Sequence, residues 1–426
     1  MAESIAVTGL GLVTPAGIGA EATWQGVRAG RSPARNDPEL DGLPVALACR
    51  VPDFDARAHT AVERPWRYDR ATQFLLTAAH EAVRDARLDP AQWDGPRVAL
   101  VVGSAAGGIG VLEAQHRRLL ATGPAALSPL TLTAFLPNMA AGHLAIDLGV
   151  QGPALHTSTA CASGATAIST AALLLDAGLC DLALAGGADA MATPLCAAAF
   201  AKMGALSRRG HDPGHASRPF DRDRDGFVLG EGAAVLVLER AAHAQARGVR
   251  PLALLAGHAG STDAHHATAP DPDGTALRRA IDAALAAAGA SRTDVDHVNA
   301  HGTGTRLNDR LEAGVIRSLF ARHSPSVTSA KGVLGHTMGA AGAVEAALTV
   351  LTLVRQSVPP TANFQRYDEG TDGIDLVTGA PRSQPVRLAL SLSLGFGGHN
   401  AVLALARADS GAGLSPGPAG PGARRG

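Results

Sequence analysis

Four short stretches carry the residues that can do chemistry. The first, "HTSTACASGATAIST" (156–170), sets one cysteine among alanines, serines, threonines and a single glycine. Read as a helix, it puts Cys161 in the first turn, where unpaired N–H groups and the helix dipole favour an anion. A free thiol titrates near about 8.5, and such a position lowers that value by about a unit or more, so a reactive thiolate is expected. The small neighbours Ala160, Ala162, Ser163 and Gly164 leave room for a carbonyl to reach the sulfur. A buried, inert cysteine is the competing reading, and it is kept for Cys180 and Cys196 in their apolar settings.

The second stretch is "NAHGTGTRLNDRLEA" (299–313). A short strand delivers His301 into a turn that Gly302 and Gly304 make possible, with Thr303 and Thr305 available for hydrogen bonds. Asp309 and Glu312 then open a helix, where first-turn acids are ordinary. The third, "TSAKGVLGHTMGAAG" (328–342), holds Lys331 and His336 five residues apart, before a second small-residue helix. Its glycine order is not that of a phosphate-cradling loop. A histidine at a helix N-terminus stays neutral and donates through N–H; Lys331 is expected to pair with Glu312. The fourth is "SLGFGGHNAVLAL" (393–405), where Gly395, Gly397 and Gly398 surround Phe396 in a flexible turn whose backbone N–H is a candidate oxyanion donor.

Two other stretches fail their tests. "AVTGLGLVTPAG" (6–17) starts like a dinucleotide fold, but Thr14 stands where the third glycine belongs. His265 and His266 are adjacent, point in different directions and have no partner at ligand spacing, so no metal is expected. The near-neutral charge of −1 and the 3% aromatic content argue against nucleic-acid binding. The four cysteines form no C-x-x-C pair, the N-terminus is not a signal peptide, and no apolar run spans a bilayer well. A reducing cytoplasm is the expected setting.

These stretches need a scaffold. Strand-like runs such as "SIAVTGLGLV" (4–13), "RVALVVGSA" (97–105), "AAVLVLE" (233–239) and "RLALSLSLGFGG" (387–398) alternate with helical patterns at 71–88 and 274–290. That alternation predicts an α/β fold with buried sheets. "ACASGATAISTAALLL" (160–175) and "HTMGAAGAVEAALTVL" (336–351) echo each other, which hints at a duplicated half-fold whose two central helices face one another. The Gly/Pro/Ala-rich stretch 408–426 is expected to be a disordered tail.

Together, "STACASG", "SRPFDRDRDGFVLGEGA" (217–233), "HGTGTRLND", "SAKGVLGHTMGAAG" and "GFGGHN" resemble the β-ketoacyl-acyl-carrier-protein synthases, the condensing enzymes of the thiolase fold, across about residues 3–407. The resemblance implies a five-layered αβαβα architecture with two mixed sheets around central helices. It implies an N-terminal half over 1–250 with the nucleophile, a C-terminal half over 251–407 with the histidines, and the tail beyond. By position, Cys161 becomes the acyl acceptor, His301 and His336 the histidine pair, and Lys331 their support, paired with Glu312. Phe396 becomes the gate, its N–H and that of Cys161 the oxyanion hole; Thr303, Thr305, Asp309, Gly397 and Gly398 are supporting. No cysteine follows Cys196, which excludes a thiolase, and His336 excludes the Cys-His-Asn synthases. The implied reaction is decarboxylative condensation of an acyl group with a malonyl thioester, in fatty-acid or polyketide synthesis. No cofactor is implied, since substrates ride on the phosphopantetheine arm of acyl carrier protein. The implied assembly is a homodimer, or a heterodimer with a chain-length factor. A catalytically silent scaffold and a cysteine hydrolase are the rival classes.

Overall fold

The structure is a computed structural model that describes residues 5–60 and 62–408; the expected tail from 409 onward lies outside them. Strand β1 (Ile5–Thr14) is buried along its whole length, and the helix that covers it, α1 (Arg70–Asp85), is capped by the Asp69 carboxylate. Gly9 and Gly11 are explained by this contact. A Cβ on Gly9 would stand 2.3 Å from the Ala82 carbonyl oxygen, and one on Gly11 1.8 Å from that of Ala78. The glycines let helix and strand touch, and bind no dinucleotide phosphate.

The other N-terminal strands on the main path of the sheet are β2 (Val98–Gly103), β3 (Ala154–Thr157), β4 (Leu182–Ala190) and β5 (Leu229–Arg240). The C-terminal ones are β6 (Ala253–Thr262), β7 (His297–Asn299), β8 (Ser326–Thr328), β9 (Asp375–Leu376), β10 (Leu388–Gly395) and β11 (His399–Arg407). In the first half the spatial order is β1-β5-β4-β2-β3; in the second it is β6-β11-β10-β7-β8, with β9 outside. First, last, penultimate, second, third: the order repeats, and so do two antiparallel pairings followed by two parallel ones. The halves meet along a three-residue antiparallel ladder, Ile5–Val7 against Ala253–Leu255, so hydrogen bonding runs through one continuous mixed sheet.

Between the two wings lie the central helices α3 (Ser163–Asp176) and α6 (Ala341–Arg355), packed on each other and on strands of both halves. Outside lie α1 and α2 (Asn138–Leu148) on one wing, α4 (Thr275–Ala287) and α5 (Arg306–Leu319) on the other. This gives the five layers. The small residues of both central helices have one purpose in common. A Cβ on Gly164 would sit 2.7 Å from the Ala343 amide nitrogen, and one on Gly342 2.7 Å from that of Ala165. Met338–Arg355 is the helical stretch long and apolar enough to cross a membrane among the described residues, and it is 89% buried in the core.

Candidate active site

Cys161 lies just outside α3, not in its first turn: Ala162 is the cap and Ser163 the first helical residue. The turn before it is tight, with Ala160 in the left-handed region (φ 50°), and Ser163 Oγ donates to the Ala160 carbonyl at 2.6 Å. Burial pushes the Cys161 thiol up to about 12, against the pull of the Lys331 ammonium. The expected lowering is therefore reversed, because removing a thiolate from water costs more than nearby positive ends return. The resting group is a thiol.

The two histidines arrive from the other half. Cys161 Sγ and one nitrogen from each of His301 and His336 lie within 4.8 Å of one another, and the imidazoles meet edge to face, centroids 5.4 Å apart. Burial and the Lys331 charge hold both rings well below the ordinary histidine value, so both are neutral. Their tautomers follow from their partners. The Met338 N–H donates to His336 Nδ1 at 3.2 Å, and Lys331 Nζ stands 3.3 Å from His301 Nδ1. In each ring Nδ1 is thus the acceptor, which leaves the proton on Nε2. A cysteine and two histidines this close look like a zinc set, but rings that offer N–H to the site are oxyanion donors and poor metal ligands.

Lys331 is not paired with Glu312. Its ammonium contacts the Glu345 carboxylate and donates to the His301 carbonyl oxygen at 2.7 Å. Glu312 instead accepts from the His301 and Gly302 amides at 2.6 and 2.7 Å. Asp309 likewise receives the Gly304 and Phe220 amides. Both acids pull the histidine loop into shape from beneath, and neither faces the cavity. Glu345 was legible as a lone charge in an apolar helical run, but its partner, fourteen residues earlier, was not.

The motif 217–233 also finds its role here. Ser217 Oγ donates to the Lys331 carbonyl (2.6 Å), Gly226 N to the Gly304 carbonyl (3.1 Å), and His336 exchanges backbone bonds with Val228 and Gly230 (2.8 and 2.9 Å). Arg224, buried, donates to the Thr305 carbonyl and pairs with Asp368. This segment from the N-terminal half clamps both histidine loops of the other.

The three reactive side chains open on a cavity of about 460 Å³, mostly apolar, walled by Phe200, Phe227, Met191 and Phe396 and lined also by Thr303 and Thr305. Phe396 sits half-buried in the turn after β10, with Gly397 and Gly398 both left-handed (φ 85° and 76°). Gly395 abuts the Cys161 turn so closely that a Cβ there would stand 3.2 Å from the Cys161 amide nitrogen. That closeness sets the 395–396 turn directly against the backbone of the Cys161 turn. Arg306, Met203 and Leu307 are exposed and line the cavity.

Two family models match the chain: the β-ketoacyl synthase N-terminal domain over residues 2–244 and the C-terminal domain over 252–365. The chain is 41% identical over 408 residues to the 3-oxoacyl-[acyl-carrier-protein] synthase 2 of Synechocystis sp., covering 94% of this chain and 97% of that one. Among solved structures, the ishigamide ketosynthase/chain length factor superposes with a TM-score of 0.89 at 34% identity, covering 95% of this chain and 99% of that one. A type II PKS acyl-carrier protein in complex with its ketosynthase bound to the hexaketide gives 0.87 at 31%, covering 95% and 100%.

Proposed function

The chain belongs to the β-ketoacyl synthase family, and we propose that it works as an elongating 3-oxoacyl-[acyl-carrier-protein] synthase with Cys161, His301, His336 and Lys331 as its reacting and supporting groups. The observation that carries this reading is the shared setting of the two rings: each has a donor at Nδ1, which leaves N–H on Nε2, and one nitrogen of each lies within 4.8 Å of the other and of the sulfur.

In the first step the Cys161 sulfur attacks an acyl thioester, and the carrier thiol leaves with the proton that the cysteine gives up. The developing oxyanion lies against the backbone N–H groups of Cys161 and Phe396. In the second, a malonyl thioester enters and its carboxylate departs as carbon dioxide. The electron pair goes into an enolate whose oxygen takes both N–H bonds; in a water-poor pocket such bonds are strong. In the third, the enolate carbon attacks the acyl carbonyl on Cys161, the carbon–sulfur bond breaks, and the released thiolate recovers a proton. Lys331 orients His301 and adds positive field near the enolate.

The substrate is an acyl group on acyl carrier protein. The apolar cavity suits an acyl chain, and the exposed Arg306 in its lining suits an anionic partner. A dimer fits the outer edge, where β3 leaves its ladder unpaired, with exposed Leu155 in it and exposed Ile146 on the helix packed against it. A homodimer fits fatty-acid synthesis; a heterodimer with a chain-length factor fits a polyketide pathway. The cytoplasm suits four unpaired thiols. Incubation with acyl- and malonyl-loaded carrier protein tests the reaction. A β-ketoacyl product is expected; hydrolysis without a new carbon–carbon bond, or no adduct on Cys161, would overturn it. Copurification of a second, related subunit separates the two assemblies.

A further inference from the structure

One buried acid has no part in the chemistry above. Asp189, near the end of β4, is fully buried, and among the described residues no arginine, lysine or histidine pairs with it. Burial raises its carboxyl to about 6, and only neutral donors hold it. Such a group is costly to keep in an apolar core, where an alanine would pack without that penalty. Its contacts suggest why it is there. Oδ1 accepts from Ser104 Oγ at 2.6 Å; Oδ2 accepts from the Ala105 amide at 2.8 Å and from the Gly339 amide at 2.6 Å.

Those donors belong to different halves. Ser104 and Ala105 follow β2, and Ser163 Oγ, which shapes the Cys161 turn, lies 3.3 Å from the Ser104 carbonyl. Gly339 comes three residues after His336, next to Met338, whose amide sets the His336 tautomer and whose own backbone is left-handed (φ 52°). A carboxylate oxygen shared by Ala105 and Gly339 therefore ties the histidine loop to the cysteine loop across the interface between halves.

We propose that Asp189 is a positioning residue: by bridging Ser104 and Ala105 to Gly339 it holds the His336 N–H at the place where the malonyl thioester oxygen must sit. The inference rests on His336 being the decarboxylation donor. An asparagine can keep the bridge, its oxygen accepting from Ala105 and Gly339 while its NH2 turns to the Ser104 hydroxyl, which accepts as well as donates; an alanine removes every acceptor. The Cys161 turn is closed by its own bond, Ser163 Oγ to the Ala160 carbonyl, so acyl transfer is expected to depend on the bridge far less than the His336 N–H does.

The test measures two steps separately in Asp189→Ala, Asp189→Asn, Ser104→Ala and His336→Ala: acyl loading of Cys161 by mass spectrometry, and decarboxylation of malonyl-carrier protein. For Asp189→Ala the expected result is near-wild-type loading, an unchanged KM for the malonyl thioester and a kcat for decarboxylation down by about 100-fold, as for a displaced catalytic group. Asp189→Asn, which keeps an oxygen for Ala105 and Gly339, should retain most of the decarboxylation. Ser104→Ala, which removes the hydroxyl donor, should show the same split as Asp189→Ala at smaller size, and it decides the matter alone if Asp189→Ala does not fold. Equal losses in both steps, or wild-type decarboxylation in folded Asp189→Ala, overturn the proposal. If His336→Ala decarboxylates normally, the role of His336 and this inference both fall. If His336→Ala is inactive while Asp189→Ala and Ser104→Ala are not, only this inference falls.

Discussion

The two halves share a strand order and a central helix preceded by a tight turn, yet they are held in different ways. In the N-terminal half the turn 159–162 is short, carries one left-handed alanine at 160, and offers a single thiol. In the C-terminal half the loops at 301–305 and 329–340 are longer, carry a left-handed methionine at 338, and rest on buried carboxylates. Burial raises Glu312 and Glu345 to about 7, so these groups sit in a dry place at a cost that backbone N–H groups and Lys331 offset. A duplicated scaffold thus holds a thiol on one side, with room around it, and two proton-bearing rings on the other, in fixed orientation. The buried carboxylates Asp309, Glu312 and Glu345 serve that orientation.

This contrast has measurable consequences. Cys161→Ala should abolish acyl loading altogether, as mass spectrometry of the protein after exposure to acyl-carrier protein would report; full transfer by that variant would refute the division of labour. Glu345→Ala leaves the Lys331 ammonium buried without its acid. A loss of about 3–5 kcal/mol in denaturant unfolding is expected, the usual result of breaking a buried pair from one side. No loss would mean that the His301 carbonyl alone satisfies the lysine. Gly164→Ala and Gly342→Ala press on the same helix contact from opposite halves, and each should cost about 1–3 kcal/mol by overpacking. Unequal losses would show that one half yields more readily than the other.

The smallest effects concern protons. With the Cys161 thiol near 12, its alkylation by iodoacetamide should keep climbing past pH 9, where an ordinary cysteine levels off. On the other side, His336 titrates lower in the folded chain than in the unfolded one, where it takes a proton near 6.5. Its contribution to stability is present above about 6.5 and lost as the pH falls below that value. The stability difference between wild type and His336→Asn should shrink accordingly in acid unfolding curves; a constant difference would mean that the imidazole is charged in the folded protein.

Much of the site was legible in the chain. Cys161, His301, Lys331, His336 and Phe396 stand out because their types, and the glycines around them, suit few other uses. The alternation of strand and helix, and the echo between the two small-residue helices, foretold a duplicated α/β fold. Local rules write such features, and local rules can be read locally. Partnerships are another matter. Lys331 meets Glu345 and not Glu312; the small residues after Cys161 serve a helix in the other half; and Asp189 reaches an amide 150 residues away. The thiol's upward shift belongs with these. It depends on how much water the assembled loops exclude, and a cysteine's neighbours in sequence do not determine its neighbours in space. Only the packing of one half against the other decides that.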